Sequence, residues 1–590
     1  MLKMKNRLFI TTMGFILIVS GLNAQMPIKK DRLDEVGRKN SMIPHLQKKG
    51  NSKQLIVNEK PFLILGGELH NSSSSNANYM RPIWEQLKKK NLNTVVAPVY
   101  WELIEPTEGE FDFSLVDSVI VGIRKQNLKL VILWFGTWKN GYSTYVPSWV
   151  KHDSDKYPYA KDKNGKNLQI LSAFGEETMK ADARAFKALM KHIKEFDQKE
   201  QTVIMAQIEN EVGLFYSPRD YTGEKLYQSE VPVGVINYLK NNKLQPELEK
   251  VWKANGSKTK GNWEEVFGKS DTTTTDWKNL SFLTEELFSA YHYARFMSAV
   301  AEAGKSEYPI PMYVNAWIKQ PKLGYPGKYP SGGPVPHTLD FWRLAAPAID
   351  MIVPDIYISG ANEVIETYRR EGNPVFIPEI GHNSSSTFEA MYAFGSQEII
   401  GFSPFGIDDM TPEEDPFTPA YKALSKVKDV ILKYQSTDKM VGILLDKNKP
   451  IQNFNLGDYS IQANIGKTII DFNLVFAGFP SKDPKPEVAG GILINIGKDE
   501  FILIGKYFNI ELKAKTPNPA MPFLDIEVME EGYFENDIWK VTRRLNGDES
   551  FTSMGGDAGF GFKKDPSMAA VAFPATEEFK VIRFKVFRYK

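Results

Sequence analysis

Cysteine is absent from all 590 residues of the chain. This absence excludes thiol catalysis, disulfide bonds and metal sites with cysteine ligands. It also excludes a lipoprotein anchor, because such an anchor needs a cysteine to carry the lipid. The seven histidines are scattered, and none has the spacing of a zinc-binding motif. We therefore expect no metal and no other cofactor.

An excess of charge of one sign is also absent, since 73 Lys and Arg residues balance 72 Asp and Glu residues. Without a long-range field, neither nucleic acid nor an anionic membrane is an expected partner. The 11 Trp and 25 Tyr residues suit a sugar-binding protein, because flat rings stack on the apolar faces of pyranoses. Large enzymes are often rich in aromatic residues, so composition alone leaves this open.

Long apolar runs are lacking everywhere except near the N-terminus. Residues 1–24 have the pattern of an export signal: a basic start, an apolar run over residues 8–19 and small residues before a cut after Ala24. That run is short for a membrane span, although an uncleaved anchor is the alternative. We expect a periplasmic or extracellular protein with no membrane insertion after cleavage, and its oligomeric state stays open.

Short apolar runs alternate with longer amphipathic stretches between about residues 55 and 430, which indicates βα units and a parallel sheet. We predict eight strands rich in Val, Ile, Leu or aromatic residues, as strands buried on both faces should be. They are residues 62–69, 94–100, 128–135, 202–208, 310–316, 351–357, 375–380 and 399–405. Beyond about residue 435 the pattern changes to short alternating strands and turns.

The predicted fold is therefore α/β: a (β/α)8 TIM barrel followed by a C-terminal β-sandwich-like domain. An insertion at about residues 212–308 follows the fourth strand and is expected to build part of the active-site rim. The predicted division is a signal peptide over residues 1–24, a lead-in over 25–54, the barrel over 55–432 and the β-rich domain over 433–590.

Two strand ends carry candidate catalytic carboxyl groups. The fourth strand ends in Glu209, Asn210 and Glu211. In a regular strand both glutamates would point to one face, where two like charges are costly unless they are used. Surface acids after a strand are the alternative. Glu379 lies in the apolar seventh strand, where an unpaired carboxylate is expensive. The C-terminal ends of barrel strands meet at one face, so Glu211 and Glu379 should meet there.

The surrounding motifs resemble a known family. Residues 207–213 read Gln-Ile-Glu-Asn-Glu-Val-Gly, and residues 81–84 read Arg-Pro-Ile-Trp. Residues 100–113 place a tryptophan at a strand end, then Glu-Pro, then Gly-x-Phe-Asp-Phe. These strings are similar to glycoside hydrolase family 35, the β-galactosidase type within the clan of (β/α)8 retaining glycosidases. The likeness covers roughly residues 55–430, and the rest resembles a small β-rich domain appended in bacterial members.

The resemblance implies a role for each matching residue. Glu211 would donate a proton and later act as base, and Glu379 would be the nucleophile. Asn210 would bind the sugar hydroxyl beside the attacked carbon, and Tyr357 would donate a hydrogen bond to Glu379. The implied activity is exo-acting, retaining hydrolysis of oligo- or polysaccharides, with carboxyl groups about 5–5.5 Å apart.

Further substrate contacts are predicted at strand ends. Glu102 and three tryptophans are candidates, although the indoles could equally be rim packing. The tryptophans are Trp101, Trp138 and Trp317, with Trp134 a weaker candidate. His382 could face the site beside Glu379, but a lone histidine is more often structural.

One position departs from the family pattern. Family 35 enzymes usually have Ala-Glu-Trp after the third strand, and that glutamate binds galactose hydroxyls, whereas residues 136–138 here are Gly-Thr-Trp. The selecting carboxylate is therefore absent or supplied elsewhere, and a β-glucoside is an alternative substrate. A transglycosylase using the same carboxylates and a non-catalytic glycan-binding protein are further alternatives.

Overall fold

The computed structural model of the protein describes residues 43–269, 284–320, 323, 325–370, 372–466, 486–545, 567–573 and 578–590. The predicted signal peptide and residues 25–42 of the lead-in lie outside the described residues. Within the described ranges, no helix is both long and apolar enough to cross a membrane.

A closed barrel of eight parallel strands forms the centre of the molecule, and each of the eight predicted strands is present. The strands of this part of the chain are β1 His45–Lys49, β2 Ser52–Val57, β3 Lys60–Phe62, β4 Ile64–Leu65, β5 Thr94–Tyr100, β6 Lys129–Lys139, β7 Tyr159–Lys161, β8 Asn167–Leu171, β9 Val203–Asn210, β10 Met312–Trp317, β11 Met351–Ile356, β12 Phe376–Ile380 and β13 Gly401–Pro404. The barrel order is β4-β13-β12-β11-β10-β9-β6-β5. Gly67 and Leu69, just after β4, bond to Val96 of β5 and join the two ends of the sheet.

Both faces of the barrel strands are buried, which explains their continuous apolar sequences. In β6, Val131 and Leu133 belong to the inner core, while Leu130 and Ile132 belong to the layer under the helices. Leu55 of β2 also belongs to the inner core, so the antiparallel sheet β1–β3 closes the N-terminal end of the barrel. The opposite end stays available for a site.

Helices cover the outside of the barrel. Their bounds are α1 Ala77–Met80, α2 Ile83–Lys89, α3 Trp101–Ile104, α4 Ser114–Lys125, α5 Ser148–Lys151, α6 Glu176–Asp197, α7 Glu224–Tyr227, α8 Val233–Asn241, α9 Pro246–Ala254, α10 Trp263–Phe267, α11 Thr284–Glu307, α12 Leu339–Ala345, α13 Ala361–Tyr368, α14 Ser384–Ser396, α15 Phe417–Ser425 and α16 Lys428–Tyr434, with short 3-10 turns at Ser73–Ser75, Tyr221–Gly223 and Pro336–Thr338. The long α11 packs against α6 as a barrel helix, so α7–α10 are the additional part of the β9–β10 connection.

Two antiparallel sheets form the C-terminal part. Their strands are β14 Met440–Asp446, β15 Ile451–Leu456, β16 Tyr459–Ile465, β17 Val488–Gly497, β18 Glu500–Lys506, β19 Phe508–Ala514, β20 Phe523–Glu535, β21 Ile538–Arg544, β22 Met568–Ala572 and β23 Lys580–Tyr589. One sheet has the order β14-β17-β18-β23-β20-β21 and the other β15-β16-β19-β22. A core that includes Leu445 and Leu503 from the first sheet and Ile461 and Ile510 from the second joins them as the predicted sandwich.

The sandwich packs on α14, the helix that follows β12. Gly395 of α14 approaches Gly442 of β14 so closely that a Cβ built on Gly395 would lie 2.7 Å from the Gly442 Cα. The N–H of Gly442 donates to Ser396 Oγ at 2.7 Å. The ring centroids of Phe388 and Phe579 are 5.4 Å apart across the same contact. This joint therefore needs glycine, because any side chain would force the backbones apart.

Candidate active site

Glu211 lies directly after β9 at the C-terminal end of the barrel. Its φ of 48° is left-handed, and its N–H donates to Asn315 Oδ1 at 2.9 Å. Burial raises the pKa of Glu211 to about 8; the charge of Glu379 adds to this rise and Lys139 opposes it. A carboxyl group with such a pKa keeps its proton at neutral pH and can deliver it to a departing oxygen.

Glu209 does not share a face with Glu211, which corrects the regular-strand expectation. Its own φ is 57°, so the backbone twists on both sides of Asn210. The Trp138 N–H donates to Glu209 Oε2 at 2.6 Å, and the other oxygen lies beside Asp182 of α6. Burial raises the pKa of both Glu209 and Asp182, and their carboxyl groups lie beside each other between β9 and α6. Glu209 therefore supports the strand end structurally.

Glu379 faces Glu211 across the barrel mouth, and its charge is the second cause of the raised pKa of Glu211. It is 5% exposed. The predicted hydrogen bond is present: the Tyr357 hydroxyl donates to Glu379 Oε1. This hydrogen bond fixes the orientation of the Glu379 carboxyl group. Oε2 has no hydrogen-bond partner among the described residues, so it is free to meet a substrate atom.

Two further buried carboxyl groups, those of Glu68 and Asp355, form a carboxyl cluster with Glu211 and Glu379, and neither was predicted from the sequence. Glu68 follows β4 and Asp355 belongs to β11, where it pairs in register with Glu379. Burial, then the charge of Glu379, raises the pKa of each well above its ordinary value. Asp355 Oδ2 accepts from Asn315 Nδ2 at 2.5 Å, and the Asp355 carboxyl also contacts Glu211. Their places at strand ends were the available signal.

Lys139 is the buried cation beside these acids, and it orients Asn210. Its Nζ donates to Asn210 Oδ1 at 2.9 Å. Because an ammonium group only donates, the Asn210 oxygen must face Lys139 and the amide nitrogen must face away. That Nδ2 is buried and has no partner among the described residues. It is therefore available to a hydroxyl of a bound ligand.

The structure does not support Trp101 and Trp138 as platforms for a sugar ring, because both side chains are fully buried. The Trp101 indole N–H donates to Glu105 Oε2 at 2.7 Å, and that of Trp138 donates to the Leu171 carbonyl at 3.1 Å. Trp134, the weaker candidate, is likewise buried and donates to Asp182. These rings pack the rim instead of facing a ligand.

Of the remaining residues predicted to contact substrate, two form ion pairs and one lies at the site. Glu102 pairs with Lys151 at 3.0 Å and is partly exposed. His382 contacts Asp415 at 2.9 Å, and Asp415 also pairs with Lys90, so the histidine belongs to a buried ion-pair network. Trp317 ends β10, pairs in register with Asp355 and is half-buried, so its ring reaches the open side of the site.

No group of three or more His, Asp or Glu side chains suited to a metal occurs in the described part of the chain. The carboxyl groups of the site can perform acid/base and nucleophilic chemistry. Glu211 holds a proton, while Glu379 offers an unpaired oxygen and is hydrogen-bonded by Tyr357. An acid and a carboxylate on opposite sides of one small space suit the cleavage of a glycosidic bond.

Comparison with known proteins agrees with the motifs. Residues 54–298 match the model described as glycosyl hydrolases family 35, which confirms the resemblance over that segment. Residues 417–554 match a domain of unknown function, DUF5597. A β-galactosidase of Xanthomonas manihotis is 24% identical over 178 residues, which are 29% of this chain and 27% of that protein. The chain thus spans about a quarter of that relative's length.

Solved structures with similar folds include two carbohydrate enzymes. The β-galactosidase from Rahnella sp. R3 has a TM-score of 0.43 at 15% identity, with 66% of this chain and 58% of that chain covered. The catalytic domain of β-amylase from Paenibacillus polymyxa also has a TM-score of 0.43, at 13% identity, with 63% and 98% covered.

Proposed function

We propose that this chain, whose residues 54–298 match glycosyl hydrolases family 35, is an exo-acting, retaining β-glycoside hydrolase of the β-galactosidase type. The observation that carries the proposal is the pair Glu211 and Glu379. One is a buried acid with a pKa raised to about 8, and the other faces it with a hydrogen-bonded carboxylate. The N-terminal pattern further supports an exported, periplasmic or extracellular enzyme.

The proposed reaction has two displacements. In the first, Glu379 Oε2 forms a bond to the anomeric carbon, the glycosidic C–O bond breaks, and the leaving oxygen takes the proton of Glu211. In the second, the Glu211 carboxylate removes a proton from water, the water oxygen bonds to the anomeric carbon, and the bond to Glu379 breaks. In both steps the Asn210 amide donates a hydrogen bond to the sugar hydroxyl group next to the anomeric carbon.

Glu68 is the carboxyl group that we assign to sugar selection in place of the missing family glutamate. Thr137 stands at the position of that glutamate in this chain. Its hydroxyl group donates to Asp182, and the residue is fully buried. Glu68 lies among Glu379, Glu211 and Lys139, and its Oε1 is buried without a partner in the described part of the chain. A buried oxygen without a hydrogen-bond partner favours binding of a ligand whose hydroxyl group bonds to it.

The test of the function is a panel of nitrophenyl β-glycosides carrying galactose, glucose, fucose, xylose or arabinose with the same leaving group. We expect hydrolysis of at least one, fastest for galactose, and NMR should detect the β-anomer of the sugar first. An α-anomer as first product would contradict retention. Binding without turnover on every member would favour a glycan-binding protein, and sugar transfer products at high substrate would favour a transglycosylase.

Replacing Glu68 with alanine is expected to lower kcat/KM for the preferred sugar by about 10- to 100-fold, because a buried hydrogen-bonding group is lost. The loss should be smaller for the epimer of that sugar at the selected hydroxyl. Glu68→Gln is the matched control, since an amide of the same shape can still donate and accept. Equal losses on every sugar of the panel would show that Glu68 does not select.

A further inference from the structure

An aromatic cleft lies beside the carboxyl cluster and has no role in the steps above. Its volume is about 780 Å³. Five of its lining residues are aromatic: Tyr142, Phe215, Tyr216, Trp317 and Tyr325. Pockets of about 300–1,000 Å³ hold drug-sized ligands, which are larger than one sugar ring. We call this feature the aromatic cleft.

The aromatic cleft adjoins the acid Glu211 and its neighbours. Phe215 and Tyr216 belong to the segment that follows Glu211, and Trp317 pairs in register with Asp355, which contacts Glu211. Asn140, another lining residue, donates its N–H to the Asn210 carbonyl at 3.1 Å. Because the acid protonates the departing oxygen, a cleft built from its own segment lies on the side of the leaving group.

Two segments joined by backbone hydrogen bonds form one wall of the cleft. Leu214 and Ser331 exchange N–H to carbonyl bonds at 2.9 Å, and the Tyr216 N–H donates to the Gly327 carbonyl at 2.9 Å. Gly327 has a φ of 93°, and a Cβ there would lie 2.9 Å from the Ser217 carbonyl carbon. Such a wall is preorganised, so little conformational entropy is lost when a ligand binds.

Tyr216 is held in an unfavourable conformation with its ring in solvent. It is 70% exposed and has a φ of 68°, a left-handed value that is unfavourable in a non-glycine residue. Its hydroxyl bonds to that of Tyr142, whose ring stacks on Phe215 with centroids 5.5 Å apart. Strain in an exposed aromatic residue points to a ligand that covers it.

We infer that the aromatic cleft binds the sugars on the leaving-group side of an oligosaccharide, with Tyr216 as a stacking platform. This inference rests on the proposed function, and it names the substrate class as a saccharide chain several sugars long. The buried indole N–H of Trp317 has no partner among the described residues and adds a donor at the inner end of the cleft. Pyranose rings offer the apolar faces and hydroxyl groups that such a lining recognises.

The test measures kcat/KM for the di-, tri- and tetrasaccharide of the preferred sugar and for its β-glycosyl fluoride, whose leaving group is a single atom. In the unmodified protein kcat/KM should rise with chain length. Tyr216→Ala should lose about tenfold more on the tetrasaccharide than on the fluoride. Tyr216→Phe, which keeps the ring, should lose far less, and Tyr533→Ala, an exposed tyrosine of β20, should change neither substrate.

Rates that do not depend on chain length in the unmodified protein would overturn the inference even if Tyr216→Ala failed to fold. Equal losses on fluoride and tetrasaccharide would overturn it as well. Calorimetric titration with galactotetraose and cellotetraose separates this inference from the proposed function. If nothing is hydrolysed but Tyr216→Ala weakens tetrasaccharide binding, the cleft stands and the catalytic proposal fails. If neither tetrasaccharide binds the unmodified protein, the cleft proposal fails.

Discussion

Replacing Glu379 with alanine is expected to lower kcat for an aryl β-glycoside by about 10⁴-fold or more, because no group then remains to attack the anomeric carbon. Azide should restore part of the rate by entering the space of the lost carboxylate. The restored product should be an α-glycosyl azide, since the small anion attacks from the face that Glu379 occupied. The measurement is steady-state hydrolysis with and without azide, followed by NMR of the product.

The matched control is Glu366→Ala, which removes a half-exposed glutamate from α13 on the outside of the barrel. We expect its activity and its midpoint of thermal unfolding to match those of the unmodified protein. Thermal unfolding of Glu379→Ala should remain cooperative. Full activity in a folded Glu379→Ala variant would remove the nucleophile from the mechanism, and rescue giving a β-glycosyl azide would contradict a double displacement.

The second large effect concerns Glu211 and pH. Because the acid acts in its protonated form and burial raises its pKa to about 8, kcat/KM should hold below that pH and fall about tenfold per unit above it. Glu211→Ala should abolish this alkaline fall. For an unactivated β-glycoside that needs protonation, kcat/KM should drop by about 10²–10⁴-fold. For a 2,4-dinitrophenyl glycoside, whose leaving group needs no proton, the drop should be much smaller.

The comparison of the two leaving groups is the internal control for folding, since a misfolded protein would lose both activities. Asp355→Asn provides a second control. The amide can still donate a hydrogen bond to Glu211, so the alkaline fall should remain, with its midpoint near the original pH. An alkaline fall that persists unchanged in Glu211→Ala would mean that another group supplies the proton.

The barrel was predictable from the sequence because burial on both faces leaves a direct mark on each strand. Residues 94–100 were predicted as a strand, and β5 spans the same residues. The other strands differ mainly at their ends: β6 continues to Lys139, beyond the predicted end at 135. These differences arise because strand ends depend on hydrogen bonds to neighbouring strands, and those partners lie far away in the chain.

The site was predictable only in part. Glu211, Glu379 and the Tyr357 hydrogen bond followed from motifs, whereas Glu68 and Asp355 carried no motif and were recognised only once the barrel brought four carboxyl groups together. The prediction that Glu209 and Glu211 share one face was wrong. The two-residue repeat holds only for a regular strand, and both residues have positive φ.

The substrate contacts predicted for the tryptophans were uncertain for a different reason. A tryptophan at a strand end can face a ligand or fill the rim, and only its neighbours decide which. Trp101 is enclosed by Glu105 and Trp149, while Trp317 stays accessible beside Phe215. None of these neighbours follows from the strand pattern that suggested the two indoles.

The contact between Gly395 and Gly442 bears on whether the barrel and the C-terminal part can evolve independently. Helix α14, which follows β12, the strand of Glu379, packs against β14 of the C-terminal part. A larger side chain at either glycine would push α14 and β14 apart. We therefore expect the barrel and its appendage to evolve as a pair in which neither part is easily exchanged for an unrelated domain.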